Sequence, residues 1–105
     1  MILVIGHALA KADTLQAMLA ISVEHVLRSR AEPGCISHDV TTDVQDPLQL
    51  TFVERWSDIA ALQAHCALAP LHTFGKRHAA MADGVPSIHV YQSEEIHLSA
   101  GRAKA

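Results

Sequence analysis

The chain opens on an apolar run, Ile2-Leu-Val-Ile5, in which both parities are hydrophobic. Ile2 and Val4 fall on one side, Leu3 and Ile5 on the other, so the pattern predicts a strand over residues 2–9 that is covered on both faces. The period then changes. Leu15, Met18, Leu19, Ser22, Val26 and Leu27 recur near helical spacing, and Asp13 with Gln16 resembles a capping box, which predicts a helix over 13–30. Pro33-Gly34 stops that helix, because proline keeps Glu32 out of the helical region and glycine frees the turn.

Alternation returns over 35–43, with Ile36, His38 and Val40 on one face and Ser37, Asp39 and Thr41 on the other. Asp46-Pro47 marks a turn, and residues 48–56 give a third strand with Leu48, Leu50, Phe52, Glu54 and Trp56 on one side. So short a connection implies an antiparallel hairpin. Ser57 or Asp58 caps a second helix carrying Ile59, Leu62, His65 and Cys66; Pro70 breaks or kinks it, and a helical segment continues to about residue 82. Gly84 and Pro86 lead into a fourth strand over 87–92. The expected organisation is one domain over 1–93 and a polar tail over 94–105, whose isolated Ile96 and Leu98 suggest a short strand lent to a partner.

The order β-α-β-β-α-β is the ferredoxin-like α+β arrangement, with the first and third strands central. Two helices cover one face of such a sheet, and an apolar second face requires cover too. Composition fits that need: half of the 105 residues are hydrophobic and only 18% are charged. A domain of this size buries only about two thirds of its unfolded surface, so a homodimer is expected. The net charge of −3 and the lack of a basic patch argue against nucleic acid as a partner. No apolar run approaches the ~20 residues of a membrane span, and the N-terminus lacks the basic flank of a signal peptide. Cys35 and Cys66, far apart and outside any CxxC, are expected as free thiols in a reducing cytoplasm.

Three pieces of text carry a resemblance: Glu32-Pro-Gly-Cys35 after the first helix, Glu54-Arg-Trp56 at the end of the third strand, and the spacing from Trp56 to Ala61-Leu62 and His65. In order, and on matching elements, they resemble the antibiotic biosynthesis monooxygenase family, which includes quinol monooxygenases and haem degraders. The resemblance implies a dimeric α+β barrel formed by two facing sheets. There are departures. His38 stands where relatives often have Tyr, and Pro70-Leu71-His72, followed by Phe74, places the histidine one position late. The chain has no asparagine, whereas haem-degrading relatives share one on the first strand, so a haem-degrading role is not expected.

The resemblance implies a cofactor-independent monooxygenase that oxidises a small aromatic hydroquinone or phenol with O2. Such chemistry needs a dry apolar pocket, a base, and a donor for the developing oxyanion. Trp56 is the expected cavity wall, with Phe52, Phe74 and Tyr91 as further substrate contacts. His65 or His7 would be the base, with His38 or Tyr91 as donor. Each of these residues has a plain alternative as core packing. Eight histidines in 105 residues raise the question of a metal, but the chain lacks HxxxH and HxH, so no metal site is expected from spacing. His72 and His78 are expected on a solvated surface, and either Glu54 or Arg55 on the face met by a partner sheet. The alternatives are an isomerase of the same family, which would need two or more Arg or Lys in the pocket, and a non-catalytic ligand-binding dimer.

Overall fold

A computed structural model describes residues 1–98 of the chain. Its elements are β1 (Ile2–Leu9), α1 (Leu15–Ser29), β2 (Cys35–Thr42), β3 (Gln49–Trp56), α2 (Ile59–Ala67), α3 (Ala69–Met81) and β4 (Ser87–Gln92). The strands form one antiparallel sheet in the order β2-β3-β1-β4, so β1 and β3 are central as expected. This is the ferredoxin-like α+β arrangement. Residues 94–98 carry no regular structure, Ile96 and Leu98 among them are exposed, and the rest of the expected tail lies outside the described residues.

The pleat sorts the strands into two faces. Ile2, Val4, Gly6 and Ala8 of β1, with Leu50, Phe52 and Trp56 of β3, are buried under the helices. Leu3, Ile5, His7, Thr51 and Val53 alternate with them toward the other, helix-free face and stay half-buried. Two apolar clusters hold the covered layer. Met18, Val26, Leu50 and Phe52 belong to one, and Ile2, Val4, Trp56 and Leu62 to the other. Fully burying side chains such as Met18 and Leu50 contributes about 2–3 kcal/mol each.

Local chemistry explains the boundaries and three departures from expectation. The Asp58 side chain accepts from Ala61 N at 2.8 Å and caps α2. Leu68 is extended ahead of Pro70, and the second helical region divides there into α2 and α3. The first helix begins later than the capping-box pattern suggested. Thr14, not Asp13, is the residue at its N-cap, and its hydroxyl donates to Met81 O at 2.8 Å, tying α1 to the end of α3 instead of capping. Leu27 is exposed, because the buried stripe of α1 runs Met18, Ile21, Ser22, His25, Val26 and Ser29. A register shift between Cys35 and Ser37 puts Ile36 out of alternation, and it is exposed while His38 and Val40 keep the covered face. Glu54 also lies on the covered face, so only Arg55, exposed and bonded to Ser37 Oγ at 3.2 Å, faces the helix-free side.

Gly34 fixes the junction between α1 and β2. Its φ is +81°, and a Cβ there would stand 2.5 Å from the Ala61 Cβ. Its carbonyl accepts from Ser57 N at 2.8 Å, so the start of β2 lies against the beginning of α2. This close approach is the physical content of the Pro-Gly-Cys text.

Candidate functional site

Three histidines from three elements converge beneath the sheet. His25 projects from the buried stripe of α1, His38 from the covered face of β2, and His65 from α2. Each is at most 3% exposed. A ring nitrogen from each lies within 4.8 Å of the others. The ring centroids are 5.2–5.7 Å apart, and the Trp56 indole sits 4.6 Å from the His65 ring.

Two carboxylates bracket the cluster. His65 Nδ1 donates to Glu32 Oε1 at 2.7 Å, which leaves a lone pair on Nε2. Trp56 Nε1 donates to Glu54 Oε1 at 2.9 Å. The same Glu54 oxygen is 3.4 Å from His38 Nε2, an ion-pair distance without the alignment of a hydrogen bond. Both nitrogens of the fully buried His38 are therefore without an aligned partner. Leaving a buried polar group in that state costs about 1–3 kcal/mol. Arg28 Nη2 donates to His25 Nδ1 at 3.0 Å, since a guanidinium can only donate, so the His25 proton resides on Nε2.

The electrostatics follow from this packing. Burial, with His38, His65 and Arg28 adding repulsion, pushes His25 down to about 3, and it is neutral at physiological pH. Burial pushes the Glu54 carboxyl up, but His38, the indole N–H and His65 outweigh it and hold the group below the ordinary carboxylate range. Desolvation and the Glu54 and Glu32 carboxylates raise both thiols, Cys35 and Cys66, so neither is an activated nucleophile.

A cavity of about 440 Å³ adjoins the cluster between α3 and strands β1 and β4. Phe52, Phe74, Leu71 and Ile88 give it apolar walls, and Glu54 is the one carboxylate on its lining. His25 is shared between cavity and cluster and stacks on Phe74 with centroids 4.0 Å apart and planes 3° from parallel. His78 closes the far end against Phe52 and Phe74 with its Nε2 unpartnered, and burial pushes its pKa down. His78 is thus buried, not solvated. His72 is exposed, six positions earlier, and borders the cavity.

The expected site residues divide. Phe52 and Phe74 line the cavity, and His38 and His65 stand behind it in the cluster. Trp56 does not line it; the indole is fully buried and acts on the cavity through its bond to Glu54. His7 borders the cavity through its place between Gly6 and Ala8, but its ring meets Thr51 Oγ1 at 3.1 Å on the helix-free face. Tyr91 pairs with Leu3 in register and shares that opposite face. Sequence spacing offered no ligand motif, yet the fold assembles a three-histidine cluster. His25, Glu54 and Glu32 were missed as site residues. The signal available for His25 was its place between Ser22 and Val26 on the apolar stripe of α1.

The sequence profile described as antibiotic biosynthesis monooxygenase matches residues 1–77. This chain belongs to the antibiotic biosynthesis monooxygenase family. An uncharacterised protein of Synechocystis, sll1783, is 30% identical over 94 residues; the match covers 90% of this chain, which spans only 64% of that protein's length. A crystal structure described as an antibiotic biosynthesis monooxygenase is 27% identical, with 90% of this chain and all of that one covered at a TM-score of 0.83. A Shewanella oneidensis protein is also 27% identical, covering 86% and 87% of the two chains at a TM-score of 0.78. A Pseudomonas aeruginosa protein at 24% identity, covering 90% and 94% at a TM-score of 0.80, shares the fold. Among the described residues no helix is long and apolar enough to cross a membrane.

Proposed function

We propose that this family member oxidises a small electron-rich aromatic, a hydroquinone or phenol, with O2 inside the cavity beside Glu54. The observation that carries the reading is an apolar chamber, of a size that suits one small ring system, holding a single ionised carboxylate on its lining. One oxygen atom enters the ring and the other leaves as water; the substrate supplies all four electrons, a hydroquinone becoming the hydroxylated quinone and a phenol the quinone. The substrate loses a proton, its anion passes one electron to O2, and the two radicals recombine at a ring carbon before the O–O bond breaks. Glu54 accepts the proton, held in place by Trp56, and the Glu32–His65 pair lies behind it to share the charge. Phe52 and Phe74 clamp the ring. Tyr91 does not line this chamber, and His7, which borders it, directs its ring to Thr51 Oγ1.

Among the described residues no Arg or Lys lines the cavity, which disfavours a phosphorylated isomerase substrate. The reading is tested by oxygen uptake over a panel of hydroquinones. Turnover is expected to fall by about 100-fold or more in Glu54→Gln with the fold intact, the range for a general base. Saturable binding of the panel without oxygen uptake would replace the enzyme with a ligand-binding protein.

We also propose that a second copy covers the helix-free face, where Leu3, Ile5, Val53 and Tyr91 form an apolar surface. Sedimentation should show a dimer, and Val53→Glu should shift it toward monomer.

A further inference from the structure

We propose that His25, His38 and His65 form a binding site for a divalent transition-metal ion of the Zn2+ type. The inference goes beyond the oxygenase reading and does not depend on it. Three imidazoles with one nitrogen each inside a 4.8 Å span are closer than solvated side chains adopt without a reason. They come from a helix, a strand and a second helix, so three separately anchored elements aim them at one point.

The decisive feature is His38. It is fully buried, and neither of its ring nitrogens finds an aligned donor or acceptor. Core histidines are ordinarily satisfied. A cation among the three rings would take a lone pair from His38, whose Nε2 now stands 3.4 Å from Glu54 Oε1 without hydrogen-bond alignment. His65 is already prepared as a ligand: Glu32 receives its Nδ1 proton, orienting the ring and leaving Nε2 free, the carboxylate–histidine arrangement that supports metal-bound imidazoles.

An all-nitrogen set selects among metals. Imidazoles suit Zn2+, Fe2+, Co2+, Ni2+ or Cu2+, whereas Mg2+ and Ca2+ require oxygen donors. Three protein ligands leave at least one position open, as in catalytic zinc sites. Glu54 stands 3.4 Å from His38 Nε2, and both Glu54 and His25 line the cavity. A redox-silent ion in this place would hold an aromatic oxyanion while the electrons still come from the substrate. One contact opposes the cation. Arg28 occupies His25 Nδ1, so the proton on Nε2 must be displaced or moved when that ring ligates. Arg28 has other acceptors within reach, Pro70 O at 3.4 Å and Glu24 at 3.8 Å.

The test uses the full chain, stripped of metal with a chelator and titrated with Co2+. One equivalent is expected to bind with the intense visible absorption of a four- or five-coordinate nitrogen site, and Zn2+ should displace it. His38→Gln and His65→Gln should each weaken binding at least 10-fold, while His97→Gln, at an exposed position after β4, should leave it unchanged. Binding below one equivalent, binding retained in folded His38→Gln, or binding lost in His97→Gln would overturn the site. If both cluster variants fail to fold, proton NMR of the Co2+-loaded wild type decides. Strongly shifted imidazole N–H signals, including one from the His65 proton shielded by Glu32, support the site, and their absence ends it. Oxygen uptake enters none of these readouts, so loss of the oxygenase reading and loss of the metal site are separable.

Discussion

The two ends of the helix-covered layer are built on opposite terms. At one end Met18, Val26, Leu50 and Phe52 fill space with apolar atoms. At the other, Trp56 is surrounded by His38, His65 and Glu54, with His25 and Glu32 just beyond. Both ends are equally dry: Leu50, Met18, Trp56 and His38 are all fully buried. The first end is what a small domain needs for stability. The second works against it, since a histidine with unpaired nitrogens in a dry core is less favourable than a hydrocarbon of the same volume. This contrast is why the histidine end, and not the larger apolar end, is read as the site.

Paired truncations test the contrast most strongly. Leu50→Ala at the apolar end should cost about 3–4 kcal/mol by denaturant unfolding, through lost burial and a residual cavity. His38→Leu, measured with a chelator present, should change stability by less than about 1 kcal/mol or raise it, because an unsatisfied polar ring is exchanged for a hydrocarbon. Equal costs at the two positions would dissolve the distinction and make His38 an ordinary core residue.

The junction supporting the polar end gives the next effect. Gly34→Ala should destabilise by on the order of 2–3 kcal/mol, combining the strain of a positive φ with a clash against Ala61. A cost near zero in thermal unfolding would mean that β2 and α2 can part freely, and that the Glu32–His65 contact is not held by this turn.

A smaller effect separates the ends by pH. Burial holds His78 below its ordinary value of 6.5. Below about pH 6.5 the unfolded chain takes up a proton there that the folded chain refuses, so stability declines as pH falls, until the folded value is reached. His78→Leu should make the acid limb of the stability curve shallower by up to about 1.4 kcal/mol per pH unit. An unchanged limb would show that His78 titrates freely and that the Phe52–Phe74 end of the cavity is wet.

The order and type of the elements were legible in the sequence because each rests on near-neighbour physics. Alternation marked β2 and β3, the Pro33-Gly34 pair ended α1, and Asp58 and Pro70 bounded and divided the second helical region. Phe52 and Phe74, expected from the chain as aromatic walls, line the cavity. Tertiary structure decided what no local pattern encodes. It turned His7 and Tyr91 to the helix-free face, set Trp56 behind Glu54, and brought His25, His38 and His65 together from positions that share no motif. The physical reason is range. Strand and helix periods are written every two to four residues, whereas a site at which α1, β2 and α2 converge exists only once the sheet has paired and the helices have docked on it.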